Sequence, residues 1–188
     1  MYRMEANMAS GTETDRIMWF SMWFLVAITT FGLAFFPMFY QLVERRNKHF
    51  LRQDELENRV KTYFKNQGKE FQLSANANAL PERNAKLWAA SIILILPMFV
   101  ITYFLSEDLL LHEKRQQAFL TKLFPEKVYT PQNVAIKKYA LITLVTLGVG
   151  EIYWLYKIIN AYNGHFREQR EIEAEITRLM EDSYIKPV

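Results

Sequence analysis

The stretch Thr146–Glu173, TLGVGEIYWLYKIINAYNGHFREQREIE, occurs twice in this chain. Thr30–Glu57, TFGLAFFPMFYQLVERRNKHFLRQDELE, aligns with it without a gap at an offset of 116 residues. Nine of the 28 aligned positions are identical, whereas chance would give about two. Apolar residues continue in register beyond the identities, with Leu56, Val60, Tyr63 and Phe64 aligned with Ile172, Ile176, Leu179 and Met180. Each copy is therefore predicted to be an apolar segment followed by an amphipathic helix.

Three blocks of the sequence are long and nearly free of charge, at positions 17–43, 87–105 and 139–159. Buried helices of a soluble bundle would show polar faces at a helical period, and these blocks do not. Because about 20 apolar residues cross the hydrocarbon core of a bilayer, we expect three transmembrane helices. The expected fold class is an all-α integral membrane protein. Amphipathic helices extend the spans outside the membrane, and the first and third helices form the internal repeat.

Five segments follow from these blocks. They are an extracytoplasmic tail at 1–16, repeat 1 at 17–64, a linker at 65–86, a second transmembrane helix with an outer amphipathic helix at 87–124, and repeat 2 at 130–183. Each repeat is expected to contain one transmembrane helix and one cytoplasmic helix. Pro37 and Pro97 lie within the first and second blocks, and we expect each to kink its span.

The distribution of basic residues predicts an orientation. The net charge is only +3, but Lys and Arg total 15 in the segments 44–86 and 157–188 together, and 8 in the segments 1–16 and 106–138 together. The positive-inside rule places the larger total in the cytoplasm. We therefore expect a multi-pass protein of a prokaryotic cell membrane, with its amino terminus outside and its carboxyl terminus in the cytoplasm.

Several classes of chemistry lack their residues. There is no cysteine, which excludes disulfides, thiolate nucleophiles and cysteine metal sites. The sequence also lacks a phosphate-binding loop, a dinucleotide-binding glycine pattern, a G-x-S-x-G motif and an H-E-x-x-H motif. We expect no enzymatic activity, no cofactor and no binding of nucleic acid.

Glu151 is the first candidate for a functional residue, because it lies in the third apolar block near Thr146. A carboxylate in hydrocarbon costs several kcal/mol unless it faces protein, water or a cation. One interpretation is a proton or ion site formed by Glu151, Thr146 and the equivalent Thr30. The other is a structural hydrogen bond between helices or a contact with another subunit.

Glycines form a second candidate set. Gly148 and Gly150 precede Glu151, and Gly32 occupies the position equivalent to Gly148 in the first copy. Small residues allow close helix packing, so the two repeats are expected to pack through these glycines. The same T-x-G sequence is also compatible with a local break in each apolar block.

All three histidines occur in one pattern, Tyr-x8-His-x3-Gln, which begins at Tyr40, Tyr103 and Tyr156. The middle copy lacks the flanking identities, so it is either a decayed repeat or a coincidence. Histidine and glutamine at this spacing share a helix face, which suits half of a metal site.

The expected topology places His112 across the membrane from His49 and His165. At most a two-histidine site between the repeats is then available. The plainer interpretation is that each histidine marks the membrane boundary, and no bound metal is expected.

The residues Thr146-Leu147-Gly148 followed by Ile152-Tyr153-Trp154-Leu155-Tyr156 resemble a family of small uncharacterised prokaryotic membrane domains. The family signature reads roughly T-L-G-I-Y-x-I-Y-W-L-Y, and the similarity covers about 138–173. Gly150 and Glu151 depart from it. The resemblance implies an integral membrane domain and no known activity.

Two functions remain open. The first is a non-catalytic accessory or scaffolding subunit of a larger membrane complex, whose partners are the lipid bilayer and other membrane subunits or further copies of itself. The alternative is a small transporter of protons, ions or solutes that uses Glu151 as an intramembrane carboxylate.

Overall fold

The computed structural model describes residues 14–69, 71 and 80–185, and these form an all-helical structure. The α-helices are α1 (Phe20–Thr29), α2 (Phe35–Asn66), α3 (Ala85–Ser91), α4 (Leu96–Leu123), α5 (Ile136–Val145) and α6 (Gly150–Ile185). A 3-10 turn, Ile92–Leu94, lies between α3 and α4. The all-α part of the expected fold class is therefore confirmed.

The prediction of three transmembrane helices is wrong. Among the residues that the structure describes, no helix combines the length and the apolar character needed to cross a bilayer. The predicted multi-pass topology, with the amino terminus outside and the carboxyl terminus in the cytoplasm, is wrong for the same reason, because it depends on those spans. The physical cause is that each long apolar block is interrupted by a turn and continues as a second helix.

Two of the turns carry the T-x-G sequence. Phe31 and Gly32 have φ values of 51° and 90°, and Leu147 and Gly148 have φ values of 50° and 97°. Such left-handed conformations end a helix and are easily adopted by glycine. The T-x-G sequence thus marks a local break in the first and third apolar blocks, and it does not mark a contact between the two repeats.

The middle turn is built differently, from the 3-10 turn followed by one residue of positive φ. That residue is Ile95, with a φ of 61°, and aligning the histidine pattern places it opposite Gly32 and Gly148. The three apolar blocks therefore share one order of elements, in which a short helix, a turn with positive φ and a long helix follow one another.

Both prolines begin helices instead of kinking spans. Pro37 lies in the first turn of α2, and Pro97 is the second residue of α4. The backbone N–H groups of a first helical turn have no acceptor within the helix, so proline removes no hydrogen bond there. The expected kinks at these residues are absent from α2 and α4 as described, and the chain turns just before each helix.

The described residues thus form three helical hairpins, α1–α2, α3–α4 and α5–α6. The long helices α2, α4 and α6 run parallel, because residues at equal distances from their starts contact one another. Their first halves form one apolar core that includes Phe39, Leu105 and Ile158, each fully buried. The predicted outer helix of 106–124 is the second half of α4 and lies beside the other two long helices.

The apolar stripes at the far ends of the repeats pack in a second core. Leu56 and Val60 of α2 meet Ile176 of α6, so the two aligned stripes pack in one cluster. The structure adds a third contributor, since Phe119 and Leu120 of α4 complete the same cluster. Burial of large apolar side chains, worth about 1.5–3 kcal/mol each, holds the three long helices together at this end.

Two asparagines that are identical in the repeats attach the hairpins to one another. The Asn163 side chain of α6 accepts a hydrogen bond from Met18 N (3.1 Å) and donates one to Met18 O (2.7 Å). Asn47 of α2 accepts from Arg83 N (3.1 Å) and donates to Arg83 O (2.6 Å). Each asparagine therefore binds the extended segment that precedes the short helix of another hairpin.

Candidate metal centre

The three histidines meet at the axis between the long helices. His49 lies on α2, His112 on α4 and His165 on α6, and their exposed fractions are 0%, 3% and 2%. They are 14, 16 and 15 residues from the starts of their helices, so parallel packing brings them to one height. The prediction that a membrane separates His112 from the other two is wrong.

The Nε2 atoms of the three rings converge. His49 Nε2 lies 2.8 Å from His165 Nε2 and 3.3 Å from His112 Nε2. All three atoms lie within 4.8 Å of one another. Nitrogen ligands about 2.0–2.1 Å from a tetrahedral Zn²⁺ are separated by roughly 3.3 Å. Of the two distances from His49 Nε2, one is at this value and the other is shorter, so the three rings converge on one point as the ligands of a single metal ion do.

Carboxylates bind the opposite nitrogen of two of the rings. His49 Nδ1 lies 2.7 Å from Asp15 Oδ1, and His165 Nδ1 lies 2.8 Å from Glu113 Oε1. Burial raises the pKa of the Asp15 carboxyl above its ordinary value, while Arg52, which donates to Asp15 Oδ2, acts in the opposite direction. Carboxylate–histidine pairs of this kind orient the ligands of metal sites and increase their basicity.

These partners determine where the ring protons lie. A carboxylate accepts hydrogen bonds, so Nδ1 carries the proton in His49 and His165, and each Nε2 presents a lone pair. Two lone pairs that face each other at 2.8 Å repel unless a positive charge lies between them. Burial and the neighbouring His165 lower the pKa of His49 and His112 well below the usual value, which favours the neutral rings that a metal ion needs as ligands. A metal cation satisfies both lone pairs.

His112 is oriented by packing. Its ring stacks on Phe50, with the ring centroids 4.3 Å apart and the planes inclined by 15°. The ring of His49 likewise lies 4.7 Å from that of Phe166. Phe50 and Phe166 are another identical pair of the repeat, each directly after a histidine. Aromatic contacts thus fix the planes of rings on two of the three helices.

A layer of glutamines lies one helical turn below the histidines. Gln116 donates to Gln169 Oε1, and Gln169 Nε2 in turn donates to Gln53 Oε1 at 2.6 Å. All three side chains are buried, with exposed fractions of 4% or less. The His-x3-Gln part of the pattern therefore specifies two polar layers on the axis, and hydrogen bonds between the glutamines fix the rotation of the helices that carry the histidines.

Glu57 and Glu173, an identical pair of the repeat, lie about two helical turns beyond the histidines and pair with arginines. Glu57 accepts a hydrogen bond from Arg115 Nη2 at 2.7 Å, and Glu173 accepts one from Arg52 Nη2 at 2.9 Å. Each ion pair joins two different long helices. Glu57 and Glu173 therefore balance the charges of Arg115 and Arg52, and the histidine nitrogens remain the candidate ligands of a metal ion.

An acidic cavity reaches the centre from one side. Its volume is about 380 Å³, and its lining includes His165, Gln116, Glu113, Glu168 and Glu171. Burial and Glu113 raise the pKa of Glu168 above its ordinary value, and Gln132 donates to Glu168 at 2.8 Å. Carboxylates around an opening attract cations, so this cavity is a route by which a metal ion can reach the histidines.

The structure separates Glu151 from the two threonines expected beside it. Glu151 is fully buried at the start of α6, and neither of its carboxylate oxygens has a hydrogen-bond partner among the described residues. Burial raises the pKa of Glu151 to about 7, with the nearby Thr102 acting in the opposite direction. The Thr102 hydroxyl donates to Met98 O at 3.0 Å, so it is engaged elsewhere.

Thr30 and Thr146 serve their own turns. The Thr30 hydroxyl donates to Val26 O (2.7 Å) and accepts from Ala34 N (3.1 Å). The Thr146 hydroxyl donates to Ile142 O (2.7 Å) and accepts from Gly150 N (2.7 Å). Each threonine thus connects the end of a short helix to the start of a long one.

The candidate packing glycines lie in two different settings. Gly32 and Gly148 occupy separate turns, where their positive φ values are needed. A Cβ at Gly150 would lie 2.8 Å from the backbone of Thr143, so Gly150 lets α6 approach α5 within one hairpin. The structure does not bring Gly32 together with the other two glycines.

Sequence reasoning missed His112, Asp15 and Glu113 as members of the site. The third copy of Tyr-x8-His-x3-Gln was the signal for His112, and the assumed topology overrode it. Asp15 precedes α1 and reaches His49 only through the hairpin turn, and no local spacing in the sequence indicates that contact.

Fold and site together define a class of protein in which three helical hairpins surround a buried cluster of three histidines. Comparisons with known protein families, with curated proteins and with solved structures find no match to this chain. The resemblance of 138–173 to a family of prokaryotic membrane domains therefore stays a prediction.

Proposed function

We propose that this protein binds one divalent transition-metal ion through His49, His112 and His165, and that the ion fastens its three hairpins together. The observation that carries the proposal is the pair of facing Nε2 atoms, 2.8 Å apart, on rings whose Nδ1 atoms are bound to carboxylates. Three neutral imidazoles suit Zn²⁺ best among common biological ions, with Cu²⁺ and Ni²⁺ as competitors.

A structural role follows from how the ligands are distributed. Each histidine comes from a different hairpin, so one ion links all three units at the axis. The unfolded chain lacks this arrangement, and metal binding therefore adds to the free energy of folding. Because the rings are nearly inaccessible to solvent, the site suits a resident ion better than the turnover of a large substrate.

The two functions expected from the sequence stay predictions beside this proposal. The accessory or scaffolding role, with other subunits or further copies as partners, stays a prediction, and a metal-fastened bundle is compatible with it. The transporter alternative relied on a carboxylate within a membrane-spanning helix. No helix of that kind occurs in the described part of the chain, and the transporter alternative itself stays a prediction.

The test measures bound metal and stability on the same samples. Purified protein is stripped with a chelator, and Zn²⁺ is then titrated while the melting temperature is recorded. At a thousandfold excess over Kd, the ion is expected to add about 4 kcal/mol. For a chain of this size that raises the melting temperature by roughly 8–16 °C. The stoichiometry is expected to be one ion per chain.

Two variants make the assignment specific. His112→Ala is expected to lose both the bound ion and the thermal shift, whereas Lys114→Ala, on the exposed side of the same helix, is expected to retain both. Co²⁺ gives an independent readout, since its visible spectrum reports tetrahedral nitrogen coordination without reference to stability. Wild-type protein that takes up no metal, or a His112→Ala variant that binds as tightly as wild type, would overturn the proposal.

A further inference from the structure

The three hairpin turns lie at one end of the molecule. The long helices run parallel from these turns, and the histidines that meet at one height are 14–16 residues along them. The turns therefore all lie roughly 21–24 Å from the histidine layer. Direct contacts agree, since a Cβ at Gly148 would lie 3.3 Å from the Phe99 ring, and the rings of Phe20 and Tyr156 are 5.6 Å apart.

This end, which we call the apolar tip, exposes large hydrophobic side chains in every turn. Phe31 is 98% exposed, Leu94 71% and Leu147 95%. Further exposed residues of the apolar tip are Leu33, Ile93, Ile95, Leu96, Leu144, Val145 and Val149. The turns carry no charged residue, and the nearest ionisable group, Glu151, is buried. An apolar surface built from three separate segments indicates an interaction site.

Several backbone N–H groups in the turns of the apolar tip are hydrogen-bonded within the protein. In the first turn Gly32 N donates to Ala27 O (2.7 Å) and Leu33 N to Thr30 O (3.1 Å). In the third turn Gly148 N donates to Thr143 O (2.8 Å), and in the middle turn Ile95 N donates to Ile92 O (2.8 Å). Water is not available in hydrocarbon, so non-helical backbone tolerates lipid only when its polar groups are paired within the protein.

Aromatic and basic residues encircle the molecule further from the turns. Tyr40, Tyr103 and Tyr156 lie 5–7 residues along the long helices, and the last two are 41% and 44% exposed. Exposed cations lie near the starts of the short helices: Arg16, Lys86, Lys137 and Lys138. Tyrosines followed by cations, in order of distance from an apolar end, are typical of a membrane interface.

We propose that the apolar tip inserts into one leaflet of a lipid bilayer, with each hairpin entering and leaving on the same side. The tyrosines are roughly 8–10 Å from the helix starts, and a leaflet of hydrocarbon is about 15 Å thick. The apolar tip therefore enters a leaflet without crossing the membrane, and the histidine layer remains outside. The order of apolar, aromatic and basic residues along the axis matches the layers of a lipid leaflet. An interface with a second copy of the chain would not require that order, so lipid is the favoured partner of the apolar tip.

The experiment is flotation with vesicles of phosphatidylcholine and phosphatidylglycerol added during cell-free synthesis of the full chain. Wild-type protein is expected to float with the vesicles. The triple variant Phe31→Asp, Leu94→Asp, Leu147→Asp is expected to reduce the bound fraction about tenfold or more, because three charges would have to enter hydrocarbon. A matched control places aspartate at three exposed apolar residues away from the turns, Leu51, Leu111 and Val128, and is expected to float like wild type.

Depth is measured on the cysteine-free background. Single cysteines that replace Phe31, Leu94 or Leu147 are labelled with an environment-sensitive fluorophore, which is expected to shift to the blue on vesicles and to be quenched by nitroxide lipids. The same label at Val128 is expected to stay in water. Far-ultraviolet circular dichroism of each variant reports whether the helical fold is intact.

Other outcomes would overturn the proposal. Equal loss of flotation in the apolar-tip variant and the control variant would show that binding is not specific to the turns. Wild-type protein that ignores vesicles but forms oligomers dispersed by the apolar-tip substitutions would make the tip an interface between copies. The inference does not depend on metal binding, because flotation can be measured with and without chelator.

Discussion

Glu151 predicts a component of the pH dependence of stability that a single substitution removes. Its carboxyl is fully buried without a hydrogen-bond partner in the described structure, and burial raises its pKa from 4.5 to about 7. The folded protein therefore holds this proton at pH values where the unfolded chain has released it. Since the pKa is raised for an acid, the free energy of unfolding falls as the pH rises from about 4.5 to about 7, and changes little above that range.

The magnitude follows from the shift. A change from 4.5 to about 7 corresponds to about 3 kcal/mol of stability lost across the interval. Glu151→Gln has no proton to release, so it removes this slope and is more stable than wild type at pH 8 by up to the same amount. Near pH 5 the two proteins are expected to differ little, since both side chains are neutral.

The assay is denaturant unfolding at several pH values between 5 and 8, and the quantity of interest is the difference between wild type and Glu151→Gln. Taking the difference cancels the contribution of the histidines, which both proteins share. Glu171→Gln, an exposed glutamate on the same helix, serves as the control and should leave the slope unchanged. A difference between wild type and Glu151→Gln that stays constant with pH would refute the argument.

Three further predictions concern other parts of the molecule. Asp15→Asn removes the carboxylate partner of His49 and is expected to weaken Zn²⁺ binding by about 10–100-fold in a chelator competition assay; unchanged affinity would count against the assigned orientation of the ring. Arg115→Met leaves the buried Glu57 without the arginine that pairs with it and should cost about 3–5 kcal/mol in urea unfolding, most of it recovered by adding Glu57→Leu. Ile95→Gly relieves a β-branched residue at a φ of 61° and should raise the unfolding free energy by about 1 kcal/mol, since the strain exceeds the entropic cost of glycine; a destabilised variant would contradict that reading.

The repeat and the helical class were predictable from the sequence, because both depend on local order. Thr30–Glu57 and Thr146–Glu173 align by identity, and the amphipathic stripes that follow them pack as the pattern predicts. The transmembrane helices were not a sound inference. Block length counts apolar residues but does not test whether one helix contains them all.

The information that corrects this error is present at particular residues. Thr30-x-Gly32 and Thr146-x-Gly148 place a hydroxyl and a left-handed residue where a short helix ends. Pro97 follows the middle turn as the second residue of a helix. Each of these features is compatible with a kinked span when taken alone. Only their recurrence at equivalent positions, with Ile95 replacing glycine, distinguishes three turns from three spans.

The histidine cluster could not be derived from any pair of elements. His49 and His165 are related by the strong repeat, whereas His112 lies in a copy that retains little more than Tyr103, its own ring and Gln116. His112 and Gln116 share one face of a helix, and the structure shows that this face lies on the common axis, whereas Tyr103 is exposed on the opposite side. Two of the three residues that persist in the weakest copy are thus the ones that three parallel helices need in order to share an axis. A pattern that is faint in every other respect but retains its axial residues is therefore evidence for a third structural unit, and it predicts the site better than overall identity does.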